Sequence, residues 1–178
     1  SDNTIKVWDW RSGTCVQTLE GHTRGVSSLC TDGSRLFSGS YDHTIKVWDV
    51  ATGACVQTLQ GHSLEVITVC VSGDRLFSGS WDKTIKVWDW RAGACLRTME
   101  GHESLVYSVC VSGDRLFSGS SDETIKVWDM TGKCLRTLEG HSNEVLSVCV
   151  FRSWLFSGGA DNTIKVWDWR SGACLQTL

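Results

Sequence analysis

One hexapeptide, TIKVWD, recurs five times in this chain of 178 residues. The copies lie 40, 40, 40 and 39 residues apart and begin at Thr4, Thr44, Thr84, Thr124 and Thr163. Each interval between copies also contains one Gly-His pair, and these pairs are Gly21-His22, Gly61-His62, Gly101-His102 and Gly140-His141. A fixed period of this length indicates repeated structural units that bury their apolar surface against neighbouring units.

Gly-His early in the repeat and Trp-Asp late in it resemble the WD-repeat family, whose blades recur every 40–45 residues. The resemblance covers essentially the whole chain. It implies an all-β fold, a β-propeller in which each repeat forms one four-stranded blade. The motif count predicts four complete blades plus an N-terminal half-blade that supplies only a third and a fourth strand. The predicted units are the half-blade 1–20 and the blades 21–60, 61–100, 101–139 and 140–178.

Residues 61–100 illustrate how one repeat predicts four strands. The segment Glu65–Val71 is almost continuously apolar, which is typical of an inner strand covered on both faces. A Ser-Gly-Asp hairpin follows, and Arg75–Ser80 is the second strand. Thr84–Asp89 is the third strand. Ala94–Met99 alternates apolar with polar residues, so we expect an outer strand with one face in water.

Each complete repeat carries a His, a Ser, an Asp and a Trp at matching positions. The resemblance to WD repeats implies that the turn aspartate holds the histidine, the histidine meets the serine hydroxyl, and the hydroxyl meets the indole N–H. The four sets are His22, Ser38, Asp42 and Trp48; His62, Ser78, Asp82 and Trp88; His102, Ser118, Asp122 and Trp128; and His141, Ser157, Asp161 and Trp167. A buried polar group without a partner costs about 1–3 kcal/mol, so we expect every member to be hydrogen-bonded.

The choice of serine within each Ser-Gly-Ser follows from strand pairing. Across a three-residue turn, the first serine, such as Ser78, lies nearer Trp88 than the second serine does. Gly159 stands at the place of the second serine in the last repeat, which also favours the first. The second serines stay open as alternatives, and they are Ser40, Ser80 and Ser120.

A Ser, a His and an Asp in one repeat also match the residue types of a hydrolase triad. Catalysis requires one exposed nucleophile beside an oxyanion hole, whereas this set recurs four times with a Trp attached and without a GxSxG elbow. The same recurrence argues against the histidines as metal ligands, and His43 stands alone in a polar turn. The sequence therefore predicts a non-enzymatic protein with no metal site and no cofactor.

Nine cysteines follow the repeat in two series. No Cys-x-x-Cys pair occurs to suggest a zinc site. Both series fall in apolar segments, where a free thiol behaves as a small hydrophobic side chain. We expect buried, unreactive thiols at Cys30, Cys70, Cys110 and Cys149 and at Cys15, Cys55, Cys95, Cys134 and Cys174. Free thiols are typical of reducing compartments, so the sequence favours an intracellular, cytoplasmic location.

Composition argues against two classes of partner. The 17 Lys and Arg residues are balanced by 20 Asp and Glu residues. The TIKVWD lysines are spread around the array and do not form the clustered basic face of nucleic-acid-binding proteins. No apolar run is long enough to cross a bilayer, and no basic-then-apolar N-terminal signal occurs. We therefore expect neither nucleic acid nor a membrane as a partner.

The repeats differ mainly in the loop after each Gly-His and in the residue before each turn aspartate. In a four-stranded meander both places lie at the same end of the blade, so they decorate one face. Loops on a rigid frame commonly carry recognition, and aromatic anchors dominate binding hot spots. Alternatively, surface turns vary only because they tolerate change. The candidate binding residues are Arg24, Tyr41, Leu64, Glu65, Trp81, Leu105 and Glu144.

The two ends of the array are related in sequence. Residues 2–19 and 161–178 are identical at 16 of 18 positions. A ring of blades removes exposed blade faces, whereas an open array leaves apolar faces at both ends. Head-to-tail association can close such an array. We expect a homodimer, with an eight-blade ring preferred. At each seam, where one chain meets the other, residues 2–19 and residues 161–178 compete for the same place in one blade.

The sequence leaves two hypotheses for the function of the protein. The sequence favours a scaffold that binds an unknown protein or peptide through the variable face. The alternative is an engineered or excised propeller fragment whose main property is self-assembly into a closed multi-blade ring.

Overall fold

The structure of the protein is a computed structural model that describes residues 2–178. Within these residues all regular structure is β, arranged as four four-stranded antiparallel sheets and one two-stranded sheet. The predicted fold class, four blades plus an N-terminal half-blade, is confirmed. No helix in this part of the chain is long and apolar enough to span a bilayer.

The strands follow one another in simple meanders. The half-blade contains β1 (Ile5–Asp9) and β2 (Thr14–Leu19). Blade 1 contains β3 (Val26–Thr31), β4 (Arg35–Ser40), β5 (Ile45–Asp49) and β6 (Cys55–Leu59). Blade 2 contains β7 (Val66–Ser72), β8 (Arg75–Ser80), β9 (Ile85–Asp89) and β10 (Ala94–Met99). Blade 3 contains β11 (Val106–Ser112), β12 (Arg115–Ser120), β13 (Ile125–Asp129) and β14 (Cys134–Leu138). Blade 4 contains β15 (Val145–Phe151), β16 (Trp154–Gly159), β17 (Ile164–Asp168) and β18 (Ala173–Thr177).

The turn between the second and third strands is built by the turn aspartate. In blade 2, Asp82 Oδ1 accepts hydrogen bonds from the backbone N–H of Thr84 at 3.0 Å and from its hydroxyl at 2.6 Å. Lys83 between them has a φ of 70°, in the left-handed region. The aspartate compensates for this strained turn residue because it satisfies the donors that follow. The third strand accordingly begins at Ile85, one residue later than predicted.

The core lies between consecutive blades and not inside any one of them. One cluster joins Phe37, Ile45 and Val47 of blade 1 to Val66, Val69, Leu76 and Trp88 of blade 2, and the next two junctions repeat this pattern. The contact is close at Gly39, where an added Cβ would lie 2.9 Å from Val66 Cγ1. The glycine of each Ser-Gly-Ser therefore allows the next inner strand to approach.

Hydrogen bonds between inner strands fix the same junctions. The N–H of Val69 donates to Ser28 Oγ at 3.1 Å, and the N–H of Val109 donates to Thr68 Oγ1 at 3.3 Å. Val148 repeats the bond to Ser108 at 3.1 Å. Each blade is therefore positioned by its predecessor through both apolar and polar contacts.

The ends of the array lack this covering. Ile164 of blade 4 is 50% exposed, whereas Ile125, the equivalent residue of blade 3, is fully buried. At the other end, Leu29 beside the half-blade is 49% exposed, whereas its equivalent Val69 is 5% exposed. Each exposed residue lies where the next or previous inner strand would pack.

Two expectations about exposure are wrong. The outer strands are exposed along nearly their whole length and not on one side only, because blades diverge toward the periphery of the array. The thiols of these strands are therefore exposed, and they belong to Cys15, Cys55, Cys95, Cys134 and Cys174. Cys149 of the last inner strand is exposed as well, because no blade follows it. Only Cys30, Cys70 and Cys110 are partly buried, and all nine cysteines are free.

Candidate functional site

The structure brings the four polar residues of each predicted set into one hydrogen-bond chain. In blade 1, Trp48 Nε1 donates to Ser38 Oγ at 2.8 Å. The same hydroxyl lies 2.7 Å from His22 Nε2, and His22 Nδ1 lies 2.7 Å from Asp42 Oδ2. The strands account for this geometry, because Ser38 pairs with Lys46 across β4 and β5, two positions before Trp48.

The remaining three blades repeat the chain with the same spacings. The histidine-to-aspartate and histidine-to-serine distances are 2.7 Å throughout, and the indole-to-serine distance is 2.8 Å. The residues brought together in these blades are His62, Ser78, Asp82 and Trp88; His102, Ser118, Asp122 and Trp128; and His141, Ser157, Asp161 and Trp167. Every serine, histidine and tryptophan of the four sets is buried.

The second serine of each Ser-Gly-Ser has a different task. Ser40 Oγ accepts the N–H of Asp42 at 3.0 Å and donates to the carbonyl of Arg24 at 3.2 Å. Ser80 and Ser120 make the equivalent bonds in blades 2 and 3. The second serines therefore hold the loop after Gly-His against the turn, whereas the first serines join the tryptophans.

Proton positions in the chain follow from its donors and acceptors. Burial lowers the pKa of His22, although the hydrogen bond to Asp42 opposes this effect. Burial raises the pKa of Asp42, but hydrogen bonds from Thr44, His22 and Thr23 outweigh it and bring the value to about 2. A neutral His22 that carries its proton on Nδ1 then donates to an ionised Asp42 and accepts the hydroxyl proton of Ser38.

This arrangement cannot act as a hydrolase triad. A nucleophilic serine must reach substrate, whereas Ser38 is fully buried. Its oxygen already accepts the Trp48 indole N–H, and its proton is directed to His22. The set therefore satisfies buried polar groups within a blade, and within residues 2–178 no cluster of three or more His, Cys, Asp or Glu is arranged to hold a metal ion.

The variable residues of blades 1 and 2 meet across the blade junction. Arg24 Nη1 lies 2.9 Å from Glu65 Oε1 and donates to the carbonyl of Tyr41 at 2.8 Å. His43 Nε2 lies 3.9 Å from the other Glu65 oxygen. The Tyr41 and Trp81 rings lie 6.0 Å apart, with an angle of 34° between their planes. These five side chains form one patch with an aromatic part and a charged part.

The variable residues of blades 3 and 4 form a second group. Glu144 Oε1 accepts hydrogen bonds from Ser121 Oγ at 2.6 Å and from the Tyr107 hydroxyl at 3.3 Å. Leu105 is half-buried in the loop before β11, whereas Leu64 in the equivalent loop of blade 2 is exposed. The structure thus places the candidate binding residues at one end of the blades, in two groups and not in one continuous cluster.

A group of residues at the opposite end of the blades was missed by sequence reasoning. Trp90 packs on Phe37 of the preceding blade, with ring centroids 5.3 Å apart, and Trp169 packs on Phe117 at 5.4 Å. The sequence signal was a Trp-Arg pair directly after TIKVWD in alternate repeats, at Trp10, Trp90 and Trp169.

The comparison with protein families decides to which family the chain belongs. The profile described as WD domain, G-beta repeat matches four successive segments, residues 13–49, 53–89, 93–129 and 132–168. The chain belongs to the WD-repeat family. Each matched segment begins near the outer strand of one blade and ends at the Trp-Asp of the next, so this WD-repeat protein has sequence repeats that are offset from its sheets.

Two solved structures are similar to this WD-repeat chain over most of its length. The computationally designed Ika8 protein matches with a TM-score of 0.87 and 37% identity, over 98% of this chain and 55% of that one. The computationally designed Ika4 protein matches with a TM-score of 0.79 and 38% identity, over 84% of this chain and 94% of that one.

Curated relatives match over short segments. Myosin heavy chain kinase C of Dictyostelium discoideum is 58% identical over 33 residues. This match spans 18% of the WD-repeat chain but only 4% of the kinase. The chain therefore spans a small fraction of the length of such relatives.

Proposed function

We propose that this WD-repeat propeller is a non-enzymatic scaffold that binds a protein or peptide through the face carrying the loops after Gly-His and the turns between second and third strands. The observation that supports this most directly is the Tyr41–Trp81 pair, which joins the variable positions of two blades at that face. Aromatic side chains supply large contact areas and are frequent hot spots of protein interfaces.

The surroundings of the pair suit recognition as well. Leu64 is exposed beside it, and the Arg24–Glu65 ion pair borders it. The scaffold beneath is rigid because each blade is tied to the next through a packed core.

Two variants test the proposed binding face, and each substitution introduces the residue found at the equivalent position of another blade. Tyr41→Ser with Trp81→Ser places at both positions the residue found as Ser121 in blade 3, so the turns should still form. Trp154→Arg, at the opposite end, restores the residue found at Arg35, Arg75 and Arg115. We expect affinity chromatography to capture partners with the native protein and the Arg variant, and to lose them with the double Ser variant. Identical captured proteins for all three would contradict the proposal.

A second candidate function, self-assembly, is favoured by the unfinished ends. Trp10 of the half-blade is 84% exposed, whereas the equivalent Trp90 is 8% exposed. A cleft of about 400 Å³ separates Thr4–Lys6 of the half-blade from Val26–Leu29 of blade 1, where the missing inner strands of the half-blade would lie. Asp2 and Trp8 occupy the aspartate and tryptophan positions of a polar set that lacks its histidine and serine.

We propose that a second copy completes this blade in a head-to-tail homodimer with an eight-blade ring. Strands β15 and β16 of the second copy would fill the cleft, and its His141 and Ser157 would complete the set begun by Asp2 and Trp8. The near-identity of residues 2–19 and 161–178 supports this register, because either segment then offers nearly the same side chains to β15 and β16. The similarity to two designed chains supports an engineered origin, and nine free thiols favour an intracellular setting.

A further inference from the structure

Two similar clefts of about 300 Å³ recur at alternate blade junctions, at the end of the blades opposite to the variable face. The cleft between blades 1 and 2, here the 1/2 cleft, is lined by Arg35, Val56, Gln57, Trp90 and Arg91. The cleft between blades 3 and 4, here the 3/4 cleft, is lined by Arg115, Val127, Leu135, Arg136, Trp169 and Arg170. Apart from Val127, the repeat register makes the residues of the two clefts equivalent one by one, so the chain itself supplies a matched comparison.

Packing holds the tryptophan of each cleft in place. Trp169 meets Phe117 edge to face at an angle of 76°, and the guanidinium of Arg170 lies 4.4 Å from the Trp169 ring centroid. Trp90 and Arg91 repeat the stacking at the same distance. A rigid aromatic wall therefore borders each cleft.

The arginines of the 1/2 cleft are neutralised within the chain. Arg35 forms an ion pair with Asp49, and Arg91 forms one with Asp74. The third polar position of this cleft is the uncharged Gln57. Each arginine of this cleft therefore has an acidic partner within the chain.

The 3/4 cleft differs at two positions that both add positive charge. Ser153 takes the place of Asp74, so Arg170 lacks the acidic partner that Arg91 has. Arg136 takes the place of Gln57, and its Nη1 donates to the carbonyl of Ser171 at 3.0 Å. Within residues 2–178, the guanidinium groups of Arg136 and Arg170 form no ion pair within 4.0 Å, whereas that of Arg115 pairs with Asp114.

We propose that the 3/4 cleft is a binding site for a phosphate monoester carried on an aromatic or alkyl group. Two guanidinium groups without ion-pair partners match the charge of a phosphate dianion, and the planar fork of arginine donates to phosphate oxygens in pairs. Val127, Leu135 and Trp169 offer an apolar wall to the organic part. The volume lies at the lower limit for a small-molecule pocket, which suits a ligand of this size.

Calorimetric titration of the full chain with phenyl phosphate tests the site, with inorganic phosphate and benzyl alcohol as separate arms. We expect saturable binding of phenyl phosphate, weaker binding of inorganic phosphate, and none of benzyl alcohol. Arg136→Gln and Ser153→Asp each install the residue of the 1/2 cleft, and each should weaken binding by roughly tenfold because one charge-assisted contact is lost. Arg97→Gln, at the junction of blades 2 and 3, should leave binding unchanged.

The reciprocal exchange provides a gain of binding. Gln57→Arg with Asp74→Ser should give the 1/2 cleft the charge of the 3/4 cleft and raise the stoichiometry from one site to two. Absence of saturable binding by the native protein would overturn the proposal, and so would an affinity for phenyl phosphate that Arg136→Gln and Ser153→Asp leave at the native value. Neither outcome bears on the variable face, which lies at the other end of the blades.

Discussion

The indole Nε1 of Trp88 donates a 2.8 Å hydrogen bond to Ser78, ten residues earlier on the neighbouring strand. The Ser78 hydroxyl donates toward His62, which in turn contacts Asp82. Side chains alone therefore join β8, β9, the loop before β7 and the turn between β8 and β9. All members except the aspartate are buried, and removal of one takes a hydrogen-bond partner from its buried neighbour. Such chains are expected to contribute more than their individual bonds.

The first prediction concerns the hydrogen-bonded set of blade 2. Trp88→Phe should remove the indole donor to Ser78 Oγ. Asp82→Ala should leave His62 Nδ1 without its aspartate partner and remove the acceptor of the Thr84 donors in the turn. We expect each to lower the free energy of unfolding by about 1–3 kcal/mol, as measured by urea denaturation. Lys83→Ala, at the neighbouring exposed position, is the control and should change it little. Equal denaturation midpoints for all three variants would refute a stabilising role for the set.

The sequence predicted the His–Ser–Asp–Trp hydrogen bonds better than it predicted the solvent exposure of the strands. The first serines could be chosen because the pairing of Ser78 with Lys86 follows from a hairpin of fixed length. The strands Arg75–Ser80 and Ala94–Met99 are observed with the bounds expected. Exposure of Cys95 could not be read in the same way, because alternation within a strand does not reveal how far neighbouring blades diverge. Local periodicity reports pairing, whereas burial depends on the whole array.

The Trp-Arg clefts were missed for a related reason. Trp90 differs from Val50 and Met130 at the equivalent positions, and it looks like ordinary variation in a surface turn. Only the packing on Phe37 of the preceding blade shows that this turn belongs to a blade junction. Contacts between residues more than fifty positions apart cannot be inferred from a single repeat.

The second prediction is a loss of stability in acid. The pKa of His22 is lowered in the folded protein, so the unfolded chain binds a proton more readily and stability falls as pH drops below about 6.5. The pKa of Asp42 is also lowered, to about 2, so its contribution is present above about 3.9 and is lost as pH falls toward 2. Both groups act in the same direction.

Urea denaturation at a series of pH values from 7 to 3 checks this prediction. We expect the free energy of unfolding to decrease in two stages, the first below pH 6.5 and the second below pH 4. His22→Gln should remove the part of the first stage that His22 contributes, because glutamine does not titrate. Stability that is constant or rises as pH falls from 7 to 5 would contradict the assignment of a neutral His22.

The third prediction concerns thiol reactivity, which the exposed positions make selective. Burial raises the pKa of Cys30 and Cys110 to about 12, and it also raises the pKa of Cys70. Thiolates are the reactive species, so these three inner thiols should be slow. Six thiols are exposed in a single chain, and they are Cys15, Cys55, Cys95, Cys134, Cys149 and Cys174. All of them except Cys149, which the proposed ring covers, should react in the native protein.

Mass spectrometry after brief labelling with iodoacetamide distinguishes the two classes. Five added groups in native buffer and nine in denaturant are expected for the proposed dimer, because a second copy packed on blade 4 covers Cys149. A single chain would instead take up six groups in native buffer. Cys95→Ala should lower the native count by one, whereas Cys110→Ala should lower only the count in denaturant. Uniform labelling of all nine in native buffer would contradict the burial of the inner series.

The last prediction tests the seam of the proposed ring. Sedimentation should give a dimer, with twice the 19.7 kDa mass of one chain. Removal of residues 1–19 should preserve the dimer, because residues 161–178 offer nearly the same side chains to the seam blade. Ile164 is half exposed in a single chain but would be buried at a closed seam. Ile164→Asp should therefore destabilise the dimer only where residues 161–178, and not residues 2–19, fill the seam blade.

We therefore expect Ile164→Asp to dissociate the shortened chain into monomers but to leave the full chain dimeric, because Asp2–Leu19 then fills the seam with Ile5 in the same place. Val56→Asp changes a residue of similar exposure on an outer strand of blade 1, and it should leave both forms dimeric. A compact monomer for the unmodified chain would exclude the ring. Dissociation of the full chain by Ile164→Asp would instead show that β17 and β18 stay in their own blade and that the half-blade lies outside the ring.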